Sequence, residues 1–374
     1  MRVLHIISLI GENGESGGPI KVARELKERS GSSLFKISII GAIKKQAPNG
    51  ENIQSDEIRI LANPLLKRFP ISTLYSTELL FKILDNIRNS KMVHLHFGRE
   101  IVQIWSSFCC IFFNKKFVLQ THGMVRQKKG LFWKIFDFLF ILPILKRASK
   151  ILVLTKYEEN ELRKIFDHDK YVLLPNGISF STNLVERLSE VKYRIVFISR
   201  LHNSKGVNTF LDLAKRYCND SLIDFEIYGP DQGELPLIQN FLRNNKMRNL
   251  KYLGPVATSK VSTLLSQSDL LILPSIYDPY PMIVLEALAV GTPVIVSPVC
   301  GNSSFVSKIN VDYVAKSVNY SSFVENFERL RIRKFDQSQR RIISAKASEL
   351  FDINFTWTQL ETGESFQKSL RWQS

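Results

Sequence analysis

Short apolar, β-branched runs alternate with helical patterns twice along this chain, and that rhythm restricts the fold more than anything else in it. RVLHIISLI (2–10) reads as a buried strand running into a glycine-rich turn, and GGPIKVARELKERS (17–30) as a helix with Pro19 in its first turn. FKISIIGA (35–42), MVHLHF (92–97), KFVLQTHG (116–123), KILVLT (150–155) and YVLLPNGI (171–178) continue the series. The rhythm restarts at YRIVFISRL (193–201), with strands expected over 224–229, 250–254, 269–274 and 293–297 and helices over 206–218, 233–245, 259–268 and 281–291. Strands separated by helices imply parallel sheets with right-handed crossovers. Two series imply two Rossmann-like doubly wound α/β domains, with ligands at the carboxyl ends of the strands in an interdomain cleft. The 374 residues are enough for two cores, since single cores stop growing near roughly 250–300 residues. The expected division is 1–178, completed by a C-terminal helix over 355–374, and 179–354. That tail brings Phe355, Trp357, Phe366 and Trp372, which need burial.

Charge narrows the partners. Net charge is +16, and residues 1–177 hold 28 Lys/Arg against 16 Asp/Glu, while the rest hold 23 against 19. A basic first half suggests an anionic partner, and no nucleic-acid motif accompanies it. RQKKG (126–130) abuts LFWKIFDFLFILPIL (131–145). An aromatic-rich amphipathic segment beside a basic cluster fits docking on an anionic membrane surface; a core helix flanked by solvated lysines fits the same residues equally well. Neither this run nor IVQIWSSFCCIFF (101–113) reaches the roughly 20 apolar residues of a spanning helix. Cys109, Cys110, Cys218 and Cys300 show no metal-ligand spacing and read as reduced thiols of a cytoplasmic protein. No signal peptide and no metal site is expected.

Four places carry candidate chemistry. In SIYDPYPMIVLEALAVGTPVIV (275–296), Asp278 follows a strand and Glu286 lies in the next helix. Carboxylates at that edge suit vicinal sugar hydroxyls, and the amides of a helix start suit an anion; taken alone, the stretch also leaves open Glu286 facing solvent and Asp278 merely capping the helix. In ISRLHNSKG (198–206), Arg200 offers a planar fork and Lys205 a point charge for phosphate oxygens, or both are surface cations. GENGESGGP (11–19) offers a glycine turn before a helix, though it is neither GxGxxG nor a P-loop. His122, before Gly123, ends a strand and can donate to a substrate oxygen. His94 and His96 are expected on opposite strand faces, His202 beside Arg200, and Asp167 and Asp169 in a solvated loop.

These pieces together resemble the family 4 glycosyltransferases of GT-B architecture along nearly the whole chain. The resemblance rests on Gly17-Gly18, His122-Gly123, LLPNGI (173–178), SRLHNSKG (199–206), YGPDQGEL (228–235) and the acid, seven residues, Glu pattern of 275–295. It implies a retaining transferase that moves a sugar from a nucleotide-diphosphate donor to a hydroxyl of a glycan or lipid-linked acceptor. The process implied is surface polysaccharide assembly (O-antigen, capsule, exopolysaccharide or lipopolysaccharide) at the cytoplasmic face of the membrane, without metal or other cofactor. Glu286 would hold the ribose hydroxyls and Asp278 those of the donor sugar, with the amides around Tyr280, Met282 and Ile283 facing sugar and phosphates. Arg200 and Lys205 would neutralise the leaving diphosphate, Gly17 and Gly18 would approach the phosphates, and His122 would touch the donor sugar. Asp278 stands where Glu is more usual and Pro279 where Gly is common, which bears on the choice of donor sugar. A nucleotide-sugar epimerase of the same architecture and a non-catalytic nucleotide-sugar-binding protein remain as alternatives.

Overall fold

The computed structural model describes residues 2–11, 17–30, 36–44, 56–66, 71–180, 192–245, 247–333 and 335–362. These residues divide into two compact units, one built from those between 2 and 176 together with 353–362, the other from those between 177 and 352.

The first unit is wound on a parallel sheet of strands β1 (Arg2–Leu9), β2 (Lys36–Ile43), β3 (Glu57–Leu61), β4 (Met92–His96), β5 (Phe117–Gln120), β6 (Lys150–Val153) and β7 (Tyr171–Leu173). Their order is β3-β2-β1-β4-β5-β6-β7. The second unit carries β8 (Tyr193–Ile198), β9 (Ile223–Tyr228), β10 (Leu250–Tyr252), β11 (Leu270–Leu273) and β12 (Val294–Val296). These pair in parallel in the order β10-β9-β8-β11-β12. Both sheets therefore reverse direction beside their first strand, between β1 and β4 and between β8 and β11. That reversal is where a doubly wound sheet opens a crevice at the carboxyl ends of its strands. Each unit is thus a Rossmann-like, doubly wound α/β fold.

Continuous apolar runs form the central strands because helices cover both sheet faces. β4 contributes buried Val93 and Leu95, and β11 is buried along its whole length. An aromatic cluster of Phe197, Phe210, Phe225 and Phe327 fills the second unit. β3 escapes a hydrophobicity reading because it is an edge strand with Glu57 and Arg59 in its five residues; Glu57 is buried against Arg24 and Arg59. The tail is helical over Ile353–Thr362 and packs on the helix Gly18–Arg29. Trp357 is buried there, but Phe355 is half exposed, contrary to the need for burial read from its type; Phe366 and Trp372 lie outside the described residues.

The Gly-Thr-Pro turn after the helix Met282–Ala289 has a structural cause. Gly291 sits at φ 76°, and a Cβ there would lie 2.4 Å from the Arg340 carbonyl oxygen. Buried Arg340 donates to the carbonyls of Ser266 and Ser268, and Thr292 Oγ1 donates to Leu265 O at 2.6 Å. Gly291 thus lets the helix Gln337–Phe351 close on the core of this unit. Gly291→Ala is expected to lower stability by about 2 kcal/mol through left-handed strain and this clash. Equilibrium denaturant unfolding checks it, and an unchanged midpoint would refute the packing role.

Candidate active site

In the second unit, β8 ends at Ile198 and β11 at Leu273, the two strands that flank the reversal. A short 3₁₀ turn, Asn203–Lys205, follows β8 and ends at Gly206 with φ 70°. A Cβ on Gly206 would lie 1.9 Å from the Pro274 carbonyl oxygen, so only glycine lets this turn press on the loop after β11. The contact is hydrogen-bonded too, since Ile276 N and Tyr277 N both donate to Ser204 O at 2.8 and 3.2 Å.

That approach brings Lys205 to Asp278: Nζ donates to Oδ2 at 2.5 Å, and both residues are buried. Arg200 joins them; burial draws its guanidinium below its ordinary range while the Asp278 charge acts the other way. Two cations and one carboxylate leave a surplus positive charge in a low-dielectric crevice, which favours an anionic ligand. Lys205 keeps further N–H donors beyond the one given to Asp278, and Asp278 keeps Oδ1 and further lone pairs.

The chain then enters the helix Met282–Ala289, whose N-cap is Pro281 and whose first turn carries no acidic side chain. The Met282 and Ile283 amides have no intrahelical acceptor at that end. Tyr280 is buried, and burial pushes its phenol far up. Ile283 and Glu286, three apart, are the half-buried positions in an otherwise covered stretch, so they share one face.

Two residues there went unread in the sequence. Asn302, fully buried after β12, donates from Nδ2 to Pro281 O at 3.1 Å, and its Oδ1 has no hydrogen-bond partner. Cys300 bridges backbone to backbone with Asp278, and Gly301 N donates to Asp278 O at 3.0 Å. Their one sequence signal is position: SPVCGN follows a buried strand as the acid loop does. His202 is exposed and serves its own turn, accepting at Nδ1 from Ser204 N at 3.2 Å. Asp167 is an exposed partner of Arg163, at 2.6 Å.

Gly17, Gly18 and His122 belong to the first unit. Gly17 (φ 66°) is the N-cap of the helix Gly18–Arg29. His122, past the end of β5, is buried at φ 48°. Its strained loop is held by Glu158, which accepts from Thr121 Oγ1 and Gly123 N at 2.5 Å each and from Leu154 N at 2.7 Å. His94 and His96 are not on opposite faces. Residues two apart on a strand share a face, and their rings stack 4.8 Å apart. His5, paired in register with His94 on β1, joins them. His5, His94 and His96 place ligand atoms within 4.8 Å of one another, close enough to surround an ion. Hydrogen bonds already engage these rings, His5 Nδ1 to His96 Nε2 at 3.1 Å and His94 Nε2 to Gln120 Oε1 at 3.1 Å.

A pocket of ≈ 410 Å³ within the first unit is lined by Arg99, Glu100, Arg126 and Lys128, and by Gly123 next to His122. Arg99 is held by Asp137 through paired bonds of 2.8 and 2.7 Å, and its Nη1 has no partner. Burial pushes Glu100 up to about 7, against the hydrogen bond it accepts from Ser8. Asp137 opens a π-helical turn, Asp137–Ile141, between Leu131–Phe136 and Leu142–Arg147. The segment is divided: Ile141, Ile144 and Leu145 are buried in the core of this unit, while Leu131, Phe132 and Phe138 are 72, 68 and 68% exposed. Among the described residues no helix is long and apolar enough to cross a membrane.

Burial holds His94 near 4 and His122 near 3, below the usual 6.5, and depresses His5 and His96 as well. The unfolded chain therefore binds more protons than the folded one below about pH 6.5, and stability falls as pH drops through that window. Calorimetry from pH 7.5 to 5 is expected to show the unfolding temperature falling with acid; a pH-independent value would refute it. In the second unit, Asp278→Asn leaves buried Lys205 and half-buried Arg200 without their carboxylate and is expected to cost roughly 3 kcal/mol in denaturant unfolding. The same substitution should be rescued in part when Lys205→Met is added, and additive losses would show that the two do not act as a pair.

Comparison with known proteins follows the same division. Residues 183–348 match the family model for Glycosyl transferases group 1. An uncharacterized glycosyltransferase of Methanocaldococcus jannaschii is 26% identical over 170 residues, 41% of this chain and 43% of that protein. The UDP-Gal:alpha-D-GlcNAc-diphosphoundecaprenol alpha-1,3-galactosyltransferase of Escherichia coli is 26% identical over 179 residues, 44% of this chain and 46% of that protein. The chain thus spans about half the length of these relatives. Anabaena HepE, solved in complex with UDP-glucose, superposes with a TM-score of 0.68 at 14% identity, covering 99% of this chain and 100% of that one. The second unit therefore carries the sequence signature of the group 1 glycosyl transferases, on a chain whose fold is GT-B throughout.

Proposed function

We propose that the protein is a retaining glycosyltransferase that moves a sugar from a nucleotide-diphosphate donor to a hydroxyl of a glycan or lipid-linked acceptor, in surface polysaccharide assembly. One observation carries the reading: Arg200, Lys205 and Asp278 converge at the strand-order reversal of the second unit, directly before the free amides of Met282 and Ile283. A diphosphate leaving group needs positive charge as its bond to the sugar breaks, and two preorganised cations with backbone dipoles supply it without a metal. Asp278 would take hydroxyls of the donor sugar through Oδ1 while Oδ2 holds Lys205, and Glu286 the ribose hydroxyls one helix turn past Ile283. Gly17, Gly18 and His122 would be donor contacts in this reading, with His122 at the sugar. The acceptor hydroxyl would lose its proton to a phosphate oxygen of the donor. The UDP-glucose held by HepE and the family match of residues 183–348 support the donor class. The diphosphoundecaprenol in the E. coli relative's name supports a lipid-linked acceptor.

The exposed apolar residues of 131–140, beside Arg126, Lys128, Lys129 and Lys134, would rest on the anionic inner face of the cytoplasmic membrane. Co-sedimentation with vesicles of phosphatidylglycerol and phosphatidylcholine is expected to fall when Phe132→Ser and Phe138→Ser are combined; equal recovery in the pellet would refute this surface.

Nucleotide sugars are expected to raise the unfolding temperature, and the one that does so most to be consumed only when acceptor is added. Consumption without acceptor would instead mark an epimerase-type reaction. Lys205→Ala and Glu286→Ala should each lower kcat/KM by about a hundredfold or more if leaving-group and donor contacts are lost. Full transfer by both variants would overturn the catalytic reading and leave a nucleotide-sugar-binding protein.

A further inference from the structure

His122 Nε2 lies 2.8 Å from His96 Nδ1, and His96 Nε2 lies 3.1 Å from His5 Nδ1. All three rings are buried, and those of His96 and His122 stack at 5.0 Å with 7° between planes. We propose that His5 and His96 are positioning residues that fix the tautomer of His122, leaving its Nδ1 protonated as a hydrogen-bond donor to the substrate.

Proton counting carries this. A neutral imidazole has one N–H and one bare nitrogen. His96 sits between two partners, so it must donate to one and accept from the other for both bonds to form. Only two arrangements satisfy the chain. In one, His5 Nδ1–H donates to His96 Nε2, His96 Nδ1–H donates to His122 Nε2, and His122 is left with Nδ1–H. In the other every bond reverses, His122 Nδ1 is bare, and His5 carries its proton on Nε2. The ends are thus locked together across two strands, β1 and β4, and the loop after β5.

The surroundings choose between them. His5 lines a mostly apolar cavity of ≈ 170 Å³ together with Val3, Leu26, Ile37 and Trp357, with Lys150 and Gln359 as its other polar side chains besides His94. A proton on His5 Nε2 would have to be satisfied at this mostly apolar lining, and orphaned buried N–H groups are rarer than under-satisfied acceptors. The first arrangement avoids that cost. Burial keeps every ring neutral, so protonation does not supply a third arrangement near neutral pH. His94 stands beside the chain rather than in it: its Nε2 faces Gln120 Oε1, while Gln120 Nε2 donates to Asn176 Oδ1 at 3.0 Å.

The tautomer claim stands on its own geometry, while its consequence for transfer rests on the reading of His122 as a contact of the donor sugar. Long-range ¹H–¹⁵N spectra of the full chain labelled at histidine test the first part. His122 is expected as the Nδ1–H tautomer at pH 7, with His5 and His96 also protonated at Nδ1. His96→Asn puts an amide where Nδ1 stood and should preserve the His122 signature. His96→Leu should turn it into a mixture, at an unfolding temperature recorded alongside. A wild-type His122 protonated at Nε2, an unaltered His122 signature in folded His96→Leu, or a metal ion bound at His5, His94 and His96 overturns the proposal. Kinetics test the second part: His96→Leu should lower kcat about tenfold, the loss of one hydrogen bond, with donor KM within about threefold, and His96→Asn should recover most of it. Full transfer by His122→Ala with the expected spectra would sink the role of His122 in transfer and leave the tautomer lock standing.

Discussion

Parallel strands cannot be joined by tight turns, so each connection must cross back over the sheet and every strand delivers its following loop to the same edge. Where the winding changes direction, two such loops leave on opposite sides and the edge between them stays open. In the second unit those two loops are the turn after β8 and the acid loop after β11. Nearly everything of chemical interest there follows from holding them together. Gly206 permits the approach, Ser204 O anchors the facing amides, and Lys205 and Asp278 meet as a consequence.

The buried pair is better understood as a device for placing charge than for gaining stability. Removing two ions from water costs several kcal/mol each, and a hydrophobic pair of equal volume would often serve the fold as well. What a hydrophobic pair cannot do is present an ammonium and a guanidinium at fixed positions beside free helix amides. The first unit shows a parallel economy. Glu158 holds the loop that places His122, and the imidazole chain behind it gives a ring of fixed orientation also a fixed proton.

Much of this was legible in the chain. Twofold strand–helix alternation predicted two parallel sheets, and the strands of the second unit lie within a residue or two of their expected starts. Arg200, Lys205 and Asp278 were marked by residue type at strand ends. Misses have physical causes. β3 carries charge in an edge strand, so its apolar periodicity is faint. The tail helix exposes Phe355 because only one stripe of it faces the unit. His94 and His96 were assigned to opposite faces although a pleat of period two puts them together, and the error hid the histidine cluster.

By itself the sequence determined local choices: which runs form strands, where glycine must turn the chain, and which residue types reach the carboxyl edges. These depend on spacing, propensity and backbone sterics within a few residues. Only tertiary structure decided which edges meet. That Lys205 finds Asp278 seventy-three residues on, that Arg340 closes over Gly291, and that His5 completes a chain begun at His122 depend on sheet order and register. Those are properties of long-range packing, where one residue's partner is set by the whole winding of the sheet and not by its neighbours in sequence.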